Sequence, residues 1–357
     1  MQISKENTQI SLKEQEFLPE IVYDHYFAID WSQETVAIAH MRSNSRRPNV
    51  IEMKSDIRNL IKYFKQFQGK KILTIEETTS THWLFVKLRG EFRRILICDP
   101  YRNALLSEGP KTDSIDASKL CLLLRAGLLR EVFHSLEHDY DYWIRKLVMS
   151  YISLVRNGTR VLNQKSAIYR ALGLRYKKEE FISDNKMINF VYDHLEDSIA
   201  QYREHKQNYE KLFSQLCRTD PVIGYLSNIS GIGVINAVKT YAIVLDATRF
   251  IDKYHFWSYC GLVRHDKQSG GRSYGKRSGR YNGILKSVFK SAAMAAIGGN
   301  NDIRNYYDTL LSQGLSPDKA SHAVSRYIAT SCYAVMKYKQ PYKPYNWRQV
   351  IETSKLN

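Results

Sequence analysis

Apolar positions alternate with polar ones, or run in short blocks, through the first hundred residues, and step by three and four through most of the rest. This predicts a sheet-bearing segment followed by helical ones. Residues 26–30, 35–41 and 49–53 are rich in aromatic and β-branched residues and are split by Ser32-Gln33-Glu34 and Ser43-Asn44-Ser45-Arg46-Arg47-Pro48, so they predict three strands of a meander. Asp56 then caps a helix with Ile57, Leu60, Ile61 and Phe64 on one stripe. After it the pattern predicts a strand at 71–75, a helix around Trp83–Leu88, a strand at 94–98 and a helix through Ala104. Residues 113–127 predict another helix, with Ile115, Leu120, Leu123 and Leu124 as its stripe and Gly127 as its stop.

Tyr140 to Leu216 predicts long amphipathic helix. Its first half carries Ile144, Leu147, Val148, Tyr151, Ile152 and Val155. The second carries Ile188, Tyr192, Leu195, Ile199, Tyr202, Lys206, Tyr209, Phe213 and Leu216, a coiled-coil spacing. Gly173 and the polar 175–180 segment break it in two, which predicts a helical hairpin arm. Three strands followed by alternating helix and strand is the order of a ribonuclease H-like fold, which carries acids at the end of the first strand, on the fourth strand and on the last helix. Asp30, Glu76, Asp113 and Asp116 fall at those positions. The expected fold class is therefore α/β plus α: a ribonuclease H/RuvC-like mixed-sheet domain, a helical coiled-coil hairpin, and a mainly helical C-terminal domain with a helix-hairpin-helix element.

Carboxylates at strand ends suit a hard cation, because Mg²⁺ takes oxygen ligands and keeps positions open for phosphate and water. Asp113 and Asp116, three apart, share a helix face. They also suit helix capping and the first-turn dipole, so this pair alone leaves both readings open. Charge shifts the balance: 53 Lys and Arg against 36 Asp and Glu give the 357-residue chain a formal +17, which calls for a polyanionic partner, nucleic acid first. No run approaches ~18 apolar residues, so a membrane span is not expected. The polar Met1–Glu20 lacks a signal peptide's apolar core. Cys98, Cys121, Cys217, Cys260 and Cys332 show no Cys-x-x-Cys spacing, which fits reduced thiols and a cytoplasmic location.

The C-terminal part opens on Ile229-Ser230-Gly231-Ile232-Gly233 before a helical run, a helix-hairpin-helix pattern in which Gly231 and Gly233 could let backbone N–H groups approach a phosphate. Next comes a stretch of cations, glycines and tyrosines from Cys260 to Lys290, including Arg264, Lys267, Arg272, Lys276, Arg277, Arg280, Lys286 and Lys290. It reads as a flexible cationic loop able to follow a phosphate backbone.

These residues resemble the DEDD-type transposases of the bacterial insertion-sequence family one-ten and their invertase-like recombinase relatives, in two blocks between Tyr26 and Ala296. The first block holds Ala28-Ile29-Asp30, Ile75-Glu76-Glu77-Thr78-Thr79 with Trp83, Asp99-Pro100, and Lys111-Thr112-Asp113-Ser114-Ile115-Asp116-Ala117. The second holds Ile229–Gly233, Phe250, Tyr259-Cys260-Gly261-Leu262-Val263 and Gln268-Ser269-Gly270-Gly271. The resemblance implies a RuvC-like domain whose Asp30, Glu76, Asp113 and Asp116 bind Mg²⁺, or Mn²⁺ in its place, and a transposase domain with Ser269 as nucleophile. It further implies donor and target DNA, a guide RNA encoded by the element, and a homo-oligomer, a tetramer, with shared active sites. The chain departs from the family at Thr79, where glycine is usual, and at Lys276-Arg277-Ser278-Gly279-Arg280. Ser273 and Ser278 therefore stand as alternatives to Ser269, and Glu77 to Glu76.

The expected division is an arm at 1–22, a catalytic domain at 23–135, the helical arm at 136–217, the transposase domain at 218–345 and a tail at 346–357. Three functions are weighed: an RNA-guided recombinase with a serine nucleophile, a junction nuclease using Mg²⁺-activated water, and a nucleic-acid-binding protein without catalysis.

Overall fold

The computed structural model describes residues 22–99, 112–133, 139–176, 178–277 and 279–345. The expected N-terminal arm up to residue 21, the helix through Ala104, the tail at 346–357 and Ser278 lie outside the described residues. The chain divides into two compact units, 1–137 and 138–357.

In the first unit, β1 (His25–Trp31), β2 (Thr35–Arg42) and β3 (Asn49–Lys54) form the expected antiparallel meander. Then come α1 (Ile57–Lys65), β4 (Lys71–Glu76), α2 (Thr81–Leu88), β5 (Arg94–Cys98) and α3 (Asp113–Arg125). β4 pairs parallel to β1, and β5 parallel to β4, giving a mixed sheet in the order β3-β2-β1-β4-β5. Parallel neighbours cannot be joined by a tight turn, and α1 and α2 lie on the connections that make them possible. Strand alternation divides the residues between two faces. Phe27, Ile29, Leu73, Ile75 and Ile97 pack with Leu60 and Phe64 of α1 and Leu84 and Leu88 of α2. Ala28, Ala37, Ala39, Ile72, Leu96 and Cys98 pack with Ala117, Leu120, Cys121 and Leu124 of α3. The alanines on this second face let α3 lie close to the sheet. Asp56 caps α1 through Arg58 N at 2.8 Å, as its position predicts.

The second unit begins with α4 (Asp139–Ala171) and α5 (Lys186–Thr219), a helical hairpin with the turn containing Gly173, whose φ is +71°. The pairs that touch show it to be antiparallel, since as one number rises the other falls: Tyr151 on Phe213, Lys165 on Glu196 and Tyr169 on Tyr192. Each of the nine residues of the expected α5 seam is buried or half-buried. Gly158 sits where Tyr202 crosses, and a side chain there would overlap the ring. The arm's base is rooted in a helical core, where Ile144, Val148, Tyr151, Ile152 and Phe213 pack with α6 (Pro221–Ser227), α7 (Val234–Val244), α8 (Lys253–Tyr259), α9 (Gly283–Ile297), α10 (Asp302–Ser312) and α11 (Pro317–Tyr338).

One expectation is corrected. The cationic segment is not a flexible loop: β6 (His265–Ser269) and β7 (Arg272–Arg277) form an antiparallel hairpin joined by Gly270 and Gly271, with φ of +55° and +75°. Two consecutive positive-φ residues make the type of turn whose twist matches a two-residue hairpin, and glycine adopts it without steric cost. β7 is exposed along its whole length, so strand pairing rather than apolar burial shapes it.

Candidate functional site

The sheet register brings the acids of the first unit together. Ile29 of β1 pairs with Ile75 of β4, so Asp30 and Glu76 follow side by side at the carboxyl ends of two parallel strands, roughly 5 Å apart in the sheet. Both continue the series Ala28 and Ile72, on the face covered by α3; Glu77 continues the opposite series. α3 runs across that face and begins with Asp113 and Asp116. The three aspartates act on one another: burial first, and then the charges of Asp113 and Asp116, hold the Asp30 carboxyl above its ordinary pKa. Glu76 pairs in register with Cys98, and its charge adds to the burial that pushes the Cys98 thiol up to about 12.

The N-terminus of α3 frees Asp113 from the role that helix capping would give it. Thr112 is the N-cap and its hydroxyl accepts from Ile115 N at 3.3 Å, leaving Asp113 one position inside. A further acid, which sequence reasoning missed, helps set this helix. Ser114 Oγ donates to Glu52 Oε1. Glu52 pairs with Ala37, which pairs with Asp30, so Glu52 and Asp30 lie in one row across three strands. Only the pairing of β3 with β2 reveals this; a lone glutamate in a strand gives no such signal.

An all-carboxylate set is the chemistry of Mg²⁺ or Mn²⁺. Asp116 Oδ1 is buried with no hydrogen-bond partner and makes a long ion pair, 4.0 Å, with Lys119 Nζ. A buried carboxylate oxygen this weakly satisfied suits a cation. Among the described residues, however, no three Asp, Glu, His or Cys side chains are drawn close enough to hold one ion. The donor chemistry thus fits, while the side chains stand apart. Each cysteine is free, and four of the five are buried.

In the second unit Ser269 ends β6 and faces Arg272 across the Gly270-Gly271 turn. Cross-strand partners share a face, as do alternate residues, so Ser269 lies on the side carrying Arg272, Tyr274 and Lys276. Ser273 and Arg277 lie on the other. Arg264, Lys267, Arg272, Lys276, Arg277 and Arg280 are all exposed. The two glycines of the helix-hairpin-helix pattern differ. A side chain at Gly231, where φ is +86°, would overlap Ala292 O of α9, so this glycine serves a close helix contact. Gly233 faces open space and caps α7 with no side-chain bond, leaving the α7 amides available to an anion.

One unit places carboxylates on one sheet face and the other extends a cationic hairpin. Residues 224–308 match the family model described as Transposase IS116/IS110/IS902 family, a segment that contains α7, the Ser269 hairpin and α9. By this segment the chain is similar to the insertion-sequence transposases of that family. No curated protein matches the chain. Among the described residues no helix is long and apolar enough to cross a membrane.

Proposed function

We propose that this protein is an RNA-guided DNA transposase and recombinase whose first unit is a ribonuclease H/RuvC-like catalytic domain and whose second supplies the nucleophile. What supports the reading is that Asp30 and Glu76 end neighbouring parallel strands on the sheet face over which α3 begins with Asp113 and Asp116. These four would hold Mg²⁺, which when bound polarises a scissile phosphate and stabilises the charge that develops on it. The protein's own residues do the rest. Ser269 Oγ attacks phosphorus and gives up its proton to solvent, an Oγ–P bond forms, the P–O bond to the leaving deoxyribose breaks, and the leaving oxygen takes up a proton from solvent, so that atoms and charge balance. Arg272 and Lys276 share the serine's face and offset the phosphate charge. One phosphodiester is exchanged for another, so strand transfer needs no nucleotide cofactor. Donor and target DNA, a guide RNA encoded by the element, a tetrameric assembly and a cytoplasmic location complete the proposal. Ile182, Met187 and Phe190 stand exposed on the helical arm, which supports self-association there.

The exposure of Ser269 favours a second reading, a junction nuclease in which water attacks and Ser269 only contacts phosphate. A covalent-adduct gel separates the two. Wild type expressed with the element's flanking noncoding DNA is expected to give a protein–DNA adduct that vanishes in Ser269→Ala and on chelation of divalent metal. Cutting without an adduct would establish the nuclease. Asp30→Ala and Asp113→Ala variants that fold, bind and still cut would refute the carboxylate site.

A further inference from the structure

We propose that the second unit holds a phosphate-binding pocket apart from the hairpin, between α4, α7 and α9, which takes a backbone phosphate of a nucleic-acid strand. The cavity has a volume of ≈ 520 Å³ and an opening to solvent. Its polar lining comes from Arg156 of α4, Asn236 and Lys239 of α7, Ser287 and Ser291 of α9, and Tyr281 and Asn282 just before α9. Two cations line it together with hydroxyl-bearing residues, and no lining residue carries a carboxylate.

Lys239 carries the argument. It is half-buried, its Nζ lies 5.3 Å from the centre of the Tyr151 ring, and burial lowers its pKa with no carboxylate to counter the effect. A desolvated ammonium without an anionic partner costs folding free energy, and such groups are ordinarily paired. In a chain with a formal +17, the missing partner is most simply an anion brought by a ligand. A phosphodiester offers one negative charge and acceptor oxygens to lysine, arginine and hydroxyl donors together. Gly283, whose Cβ position is open, leaves room for the strand at the first residue of α9. Cations on two packed helices, with hydroxyls on a third, fix a point on the backbone more firmly than cations on an exposed hairpin.

The test is binding alone, without divalent metal, so it stands whether or not Ser269 or the acids act as proposed. Fluorescent single-stranded DNA and RNA oligonucleotides of one sequence are titrated against full-length wild type, Lys239→Gln, Arg156→Gln and, as a control on the arm, Arg170→Gln over a salt series. Each pocket variant is expected to weaken binding several-fold and to flatten the log–log salt slope by about one, with Arg170→Gln unchanged. Ser291→Glu, which places a charge in the pocket while leaving Lys239 in its contact with Tyr151, is expected to weaken binding more. Melting temperatures identify variants with a damaged fold. A loss confined to RNA assigns the pocket to RNA and one confined to DNA to DNA, both in support. Unchanged affinity and slope in folded Lys239→Gln, Arg156→Gln and Ser291→Glu would overturn the proposal.

Discussion

The acids and the serine are held in opposite ways. Asp30 and Glu76 are fixed by the register of two parallel strands, and Asp113 and Asp116 by a helix packed over a face lined with alanine. Ser269 sits on a two-stranded hairpin whose second strand buries nothing. An isolated hairpin of this kind is marginal in water. The carboxylates thus have their positions built in, apart from the inward movement that holding one ion would require. On the proposed reading, the serine takes its working position from whatever the hairpin docks on. The difference teaches that one chain can hold one set of polar groups rigidly in a packed unit and carry another on an element that little else fixes.

Disrupting the rigid half has the largest expected effect. Asp30→Asn should lower DNA cleavage about 10³-fold or more, since a metal ligand's contribution is several kcal/mol. The same change removes a like charge from beside Asp113 and Asp116, so metal-free melting should rise slightly. Lower melting with retained cleavage would break the comparison. Next in size is Gly231→Ala, in the packed part of the second unit: the overlap with Ala292 O and the positive φ should cost roughly 2–4 kcal/mol, read by chemical denaturation.

Acid should then weaken the first unit from the far end of β1. His25 Nδ1 and His40 Nε2 lie 2.9 Å apart. Burial, then His25 and Arg42, lower the His40 pKa from 6.5 to about 4, and burial also lowers that of His25. His40 stays neutral in the folded protein down to about pH 4, and His25 is shifted in the same direction, while the unfolded chain takes up their protons below about pH 6.5. Stability should therefore fall between pH 6.5 and 4, by on the order of 2 kcal/mol, and His40→Phe should flatten that slope in denaturation curves. The smallest effect on stability belongs to the hairpin. Gly271→Val strains a turn at φ +75° that touches nothing else, so melting should stay within about 1 °C while adduct formation drops roughly tenfold. A large melting shift would show that the hairpin is not the independent element described.

Legibility follows the same contrast. The meander, α3 and the seam of α5 are plain in the sequence because burial selects apolar residues at their own period, and α1 even shows its cap at Asp56. The hairpin is hidden because no described side chain in its strands is buried, so no alternation marks them; Gly270-Gly271 records the turn. The tie from Ser114 to Glu52 depends on strand pairing across 62 positions. The packing of Gly231 on α9 depends on an interhelical contact. Neither leaves a local pattern. Thr112, rather than Asp113, caps α3 because its hydroxyl reaches Ile115 N, a choice that composition alone leaves open.

The antiparallel pairing of α4 with α5 makes the arm a ruler. At about 1.5 Å per residue, a helix of 33 residues spans roughly 50 Å, about the length of 15 base pairs. Its two helices are read against each other, so length and orientation are separable quantities. Removing seven facing residues from each helix shortens the reach by about 10 Å and keeps the tip's heading nearly unchanged. Removing one from each turns the tip by about 100° and scarcely shortens it. Such an arm can thus be shortened in whole heptads, and is thrown out of phase by anything less.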